Sequence, residues 1–117
     1  MFRVEQDAAK NVKLTDFGKA VLQDRYLMPN ETYQDLFARV SEKYGDDIAH
    51  SQRIYDYISN LWFMPATPIL SNGGTERGMP ISCFLNETED SLAGIVDIWQ
   101  ENVWLASRGG EIGRAHV

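Results

Sequence analysis

Residues 63–85 read FMPATPILSNGGTERGMPISCFL, and the fold turns on this stretch. Pro65 and Pro68 stand three apart, and neither fits a helix interior without the loss of hydrogen bonds. The helical spacing that fills the preceding chain therefore ends at Phe63. Ser71-Asn72-Gly73-Gly74 is a strong turn signal. Pro80 to Leu85 is a short apolar run of strand length, bounded by turns. The stretch divides a helical part from a strand.

Upstream, LTDFGKAVLQDRYL offers a short helix. Thr15 or Asp16 can accept from its first free amides, and Phe17, Ala20, Val21 and Leu22 cluster on one side. Met28-Pro29-Asn30 stops it. A second helix is expected from Asn30, a good N-cap type, with Tyr33, Leu36, Phe37, Val40 and Tyr44 as an apolar stripe. Gly45 ends it. Asp46 and Asp47 suit the positive end of a third helix, which carries Ile48, Ile54, Ile58 and Leu61 toward a core. Residues 1–13 lack periodicity and read as a loosely held arm.

Downstream, a last helix starts near Asp90 or Ser91, with Leu92, Ile95, Val96, Trp99, Val103 and Ala106 as its buried face. Arg108-Gly109-Gly110 reads as its stop. A single strand leaves its backbone groups without a partner. This points to a fold that continues past the chain.

The formal charge is −6, from 17 acidic against 11 basic residues. That argues against a partner made of polymeric nucleic acid, which calls for a basic face, but leaves room for a single nucleotide. The sole cysteine, Cys83, cannot form an intrachain disulfide. MFRVEQDAAK lacks the apolar core of a signal peptide, and no apolar run reaches the ~18 residues of a membrane span. The composition reads as cytoplasmic.

Cys83 lies mid-run, preceded by Ser82. A free cysteine is usually a small buried apolar residue, and neither a CxxC nor a neighbouring histidine marks this one as reactive. Thr67, between the prolines, can hold a phosphate or ribose, or simply satisfy a turn. Asp90-Ser91 can bind a nucleotide at a helix start or cap that helix. His50 and His116 have no metal-ligand spacing. Taken alone, these residues reach only a helical domain with a thiol and a small-ligand loop.

The stretch FMPATPILSNGGTERGMPISCFLNETEDSLAGIVDIWQENVWLASRGG, residues 63–110, closely resembles the start of the catalytic barrel of the ribonucleotide reductase large subunit. LTDFGKAVLQDRYLMPNETYQDLFARVSEKYG resembles the helical domain that precedes that barrel. The resemblance implies a mainly α chain: an N-terminal helical domain over 14–65, then over 66–110 the first strand and helix of an incomplete ten-stranded α/β barrel. It further implies reduction of ribonucleotides to deoxyribonucleotides by thiyl-radical chemistry. Cys83 matches one member of a redox-active cysteine pair, whose partner lies in sequence absent here. Thr67, Ser82 and Cys83 match substrate-contacting positions. Asp90, Ser91 and Leu92 match the segment that receives an allosteric deoxynucleotide or ATP.

By the same resemblance, the full enzyme forms a homodimer and draws on a radical source and a thioredoxin-type reductant. The source is either a small di-metal partner subunit or adenosylcobalamin, and no cofactor or metal is expected on this chain itself. Two departures stand out. No nucleotide-binding cone precedes Leu14. Glu111 stands where the family has glycine, and residues 111–117, EIGRAHV, resemble the in-frame translation of a sequencing adapter. The chain is thus expected to be an inactive fragment. A competing reading is a helical interaction domain without catalysis, in which Cys83 is only core.

Overall fold

The computed structural model describes residues 3–114; His116 lies outside them. The described residues are mainly helical. A 3-10 helix, Ala8–Lys13, is followed by α1 (Asp16–Arg25), α2 (Tyr33–Tyr44), α3 (Ile48–Ser59), α4 (Thr67–Asn72), β1 (Cys83–Asn86), α5 (Leu92–Ser107) and β2 (Glu111–Arg114).

The core gathers on α2 and α3. Leu36, Phe37, Val40, Tyr55 and Ile58 are fully buried, and Leu22, Leu70 and Val4 join them. Each large apolar side chain removed from water in this way contributes roughly 1.5–3 kcal/mol. The stripe read along α2 is thus correct at its centre, although Tyr44 at its end is exposed. In α3 the expectation fails at both ends: Ile48 and Leu61 are exposed, while Tyr55 and Ile58 form the inner face.

The start of α2 also differs. Thr32, not Asn30, is the N-cap, and Thr32 and Asp35 exchange side-chain-to-backbone hydrogen bonds in a reciprocal capping box. Asn30 instead occupies the left-handed region at φ 64° in the preceding turn, where asparagine is among the few tolerant residues. Hydrogen bonding from the Thr32 amide holds the Asp35 carboxyl below its ordinary value. The partial burial of Asp35 opposes this, and the Thr32 hydroxyl and Gln6 reinforce it.

The stretch expected to be a loose arm lies against α2 and α3. The Val4 amide donates to Glu42 Oε1 at 3.0 Å and the Glu5 amide to Gln52 Oε1 at 2.8 Å. The Asp7 amide donates to the Tyr55 hydroxyl at 2.9 Å. That hydroxyl donates to Gln34 Oε1 at 2.6 Å, and Gln34 Nε2 donates to Asn11 Oδ1 at 2.8 Å. The core would otherwise hold two orphaned polar groups, whose burial without partners is costly.

β1 does not stand alone. It pairs in parallel with β2, Cys83 opposite Glu111 and Asn86 opposite Arg114, with α5 as the crossover. The unpaired strand of the sequence reading is thereby corrected: the partner comes from the segment set aside as a tail. The face expected for α5 is also wrong. Leu92, Val96, Trp99 and Val103 are well exposed, and Ile98 is the one apolar side chain of α5 that is buried. Asn102 reaches Asn86 of β1 at 2.6 Å on that same side.

Arg108 caps α5 and Gly109 turns the chain at φ 82°. Gly110 must stay small, since a Cβ there would come within 3.0 Å of the Phe84 ring. The radius of gyration is 17.8 Å, against about 13 Å for a compact domain of this length. The helical core and the β1–α5–β2 unit thus lie extended from one another.

Candidate functional site

The proline-bounded stretch does not run as a plain loop. Pro68 sits in the first turn of α4, where its missing amide costs no helical bond. α4 extends through Ser71 and Asn72, which the turn reading had assigned to a reversal; the chain turns only at Gly73 and Gly74. This short helix carries Thr67 at its first position.

A cavity of about 650 Å³ opens between α4, the C-terminal end of α1 and the C-terminal end of α5. Thr67, Ser71, Ser82 and Ser107 supply hydroxyls, and Arg25, Arg77, Arg108 and Glu111 line it with them. Three guanidiniums, of which Arg25 also pairs with Asp24 at 3.4 Å, against one lining carboxylate leave a locally positive site in a chain of charge −6. Such a site suits an anionic, hydrogen-bonding ligand.

Two of the residues singled out from sequence, Thr67 and Ser82, therefore share one wall. Cys83 lies beside it: its Sγ is 3.4 Å from Ser82 Oγ. The alternation of the strand sends it, with Ile81 and Leu85, to the face opposite Asn86 and α5. The thiol is exposed, not the buried core residue that a free cysteine usually is.

Asp90, Ser91 and Leu92 sit at the other end of α5. Ser91 is its N-cap, accepting from the Gly94 amide at 3.0 Å, while Asp90 and Leu92 are exposed. With a rise of about 1.5 Å per residue, the 16 residues of α5 separate this segment from the cavity by about 24 Å. The sequence reading missed Tyr26, Arg25, Arg77 and Arg108. Tyr26 bonds to Thr67, its hydroxyl 3.1 Å from Thr67 Oγ1. Only the lone arginine of the GGTERG turn offered a signal.

Residues 12–78 match the model of the ribonucleotide reductase all-alpha domain, more than half of the chain. The chain belongs to the ribonucleotide reductase large-subunit family. It is 40% identical over 108 residues to the ribonucleoside-diphosphate reductase large subunit of Invertebrate iridescent virus 6, covering 92% of this chain and 11% of that one. The large subunit of Danio rerio is 35% identical over 106 residues, covering 85% of this chain and 13% of that one.

Among solved structures, the class Id ribonucleotide reductase alpha subunit of Actinobacillus ureae superposes with a TM-score of 0.77 at 26% identity. The match covers 94% of this chain and 21% of that one. The chain therefore spans only 11–13% of the length of these two curated relatives. α1 to α4 fall within the residues that match the reductase all-alpha domain, and α5 lies beyond them. No helix among the described residues is long and apolar enough to cross a membrane.

Proposed function

We propose that this chain is the N-terminal part of the catalytic subunit of a ribonucleoside-diphosphate reductase, and that it supplies one wall of the substrate site. The observation that carries the reading is the shared cavity of Thr67 and Ser82, with the Cys83 thiol 3.4 Å from the Ser82 hydroxyl. A hydroxyl-lined, cationic cavity suits a nucleotide. In this reading the exposed Cys83 thiol, next to Ser82 in the strand, acts on a ribose brought against it.

In this proposal Cys83 is one of two cysteines that furnish two electrons. As the pair forms a disulfide, the ribose 2′-hydroxyl departs as water and two thiol hydrogens complete the balance. The second cysteine and the thiyl that begins the reaction belong to the rest of the large subunit. Among the described residues no group of three His, Cys, Asp or Glu side chains could hold a metal ion. The relatives' names favour a diphosphate substrate, and the radical is proposed to come from a partner subunit, as the family resemblance implies.

Asp90, Ser91 and Leu92 are the proposed effector segment, on a dimer interface that includes α5. Residues 14–65 and 66–110 are the proposed helical and barrel-entry portions, in a cytoplasmic enzyme. The tail from Glu111 is proposed to depart from the natural sequence. Reading the source DNA across the codons for Gly109 to Val117 checks this, with a glycine run in place of Glu111 as the expected result.

The decisive test of function is Cys83→Ser in a large subunit that carries this chain as its N-terminal region. Turnover should drop at least about a hundredfold, in line with the loss of a covalent participant. Unchanged turnover would leave Cys83 a structural residue and bring back the helical interaction domain.

A further inference from the structure

We infer that Tyr26 and Arg77 are positioning residues that aim the Thr67 hydroxyl into the cavity, an inference that rests on Thr67 being a substrate contact. Thr67 stands exposed at the first position of α4, and nothing in a six-residue helix fixes its rotamer. The Tyr26 hydroxyl, 3.1 Å from Thr67 Oγ1, supplies the missing constraint.

A phenol is a stronger proton donor than an alcohol, so Tyr26 donates and Thr67 accepts. The threonine's own proton is then left to point at the ligand, the direction a phosphate oxygen needs. A hydroxyl has one proton and two acceptor positions. Fixing one acceptor position therefore decides what the proton is offered to.

Arg77 fixes Tyr26 in turn. Its guanidinium donates to the Tyr26 carbonyl at 3.1 Å, to the Leu27 carbonyl at 3.4 Å and to the Ser71 carbonyl. The first two lie at the C-terminal end of α1 and the third in the last turn of α4. One cation thus joins two helix ends whose carbonyls lack intrahelical donors. Arg25, Arg77 and Arg108 all line the cavity from exposed positions, and among them Arg77 makes this bridge. The planar fork of Arg77 is what spans three carbonyls, and a lysine ammonium does not replace it.

The test uses the large subunit carrying this chain, assembled with its radical source and reductant and assayed with a ribonucleoside diphosphate. Tyr26→Phe removes one oxygen and should raise KM about fivefold, the worth of one neutral hydrogen bond, with the change in KM and not in kcat. Thr67→Ala should raise KM at least as much, and the double variant no further, because both act through one contact. Arg77→Met should match Tyr26→Phe, and Arg77→Lys should recover only part of the loss.

An unchanged KM for Tyr26→Phe beside a raised one for Thr67→Ala overturns the positioning role and leaves Thr67 a substrate contact. A wild-type KM for Thr67→Ala overturns both. An assembled enzyme that takes up no ribonucleotide overturns the proposed function itself.

Discussion

The helical core and the β1–α5–β2 unit are built from sequence of similar apolar proportion and bury very different shares of it. Around α2 and α3, five large side chains are out of contact with water. In the second unit Ile98 is the single buried apolar residue, while Trp99, Trp104, Val103, Leu92 and Leu85 are each more than half exposed. Parallel strands with crossover helices are stable when both faces of the sheet are covered. Here one helix covers one face, and the face bearing Ile81, Cys83 and Leu85 is open. A substitution should therefore matter in proportion to which unit it strikes.

The largest contrast is between Phe37→Ala and Trp99→Ala. The first should lose about 3–5 kcal/mol of unfolding free energy, enough to remove most of the stability of a small domain. The second should lose under about 1 kcal/mol, as at ordinary surface positions. Urea titrations followed by circular dichroism measure both, and equal losses would erase the distinction.

Two glycines sharpen it. A Cβ at Gly45 would lie 2.0 Å from Ser51 Oγ and 2.7 Å from Ser51 Cα. Gly45→Ala should therefore cost about 1–3 kcal/mol by overpacking. Gly109 has open space around it but a φ of 82°, so Gly109→Ala should cost only about 1 kcal/mol from backbone strain. The cause is steric in one unit and conformational in the other.

Hydrogen exchange tests the same contrast without mutation. Amides of α2 and α3 should exchange only through global unfolding, and those of β1 and β2 through local opening of much lower free energy. Uniform protection would show the sheet to be as firmly held as the core.

The smallest effect is a matter of pH. Asp35 has its pKa lowered by the Thr32 amide, so its contribution is present above the unfolded-state value and lost as pH falls through the folded one. The melting temperature of the parent should exceed that of Asp35→Asn at neutral pH, and the gap should close below the ordinary carboxylate range. A gap that widens on acidification would contradict the capping box.

Sequence legibility followed the same division. Leu36, Phe37, Val40 and Ile58 were readable because their spacing marks one stripe on otherwise polar helices. On α5 the apolar residues lie all round, so spacing could not say that the side of Ile98 faces β1. The α2 cap was misplaced because asparagine suits both an N-cap and a left-handed turn, and only the Thr32–Asp35 exchange decides. β2 was missed because Glu111–Arg114 had been set aside as tail. Thr67 and Ser82 were found from the resemblance, and the cavity that unites them joins residues from both sequence segments. Tyr26 and Arg77 stand some fifty residues apart and meet only through folding.

The parallel crossover also sets a timetable for synthesis. Every member of the helical core lies between Val4 and Leu70, so it can close while α5 is still being made. β1 cannot pair in parallel until a crossover such as residues 87–110 has been added and the strand that follows α5 has emerged. At roughly 5–20 residues per second, the backbone groups of this strand wait about one to five seconds on the ribosome without a partner, open to any chaperone at the tunnel mouth.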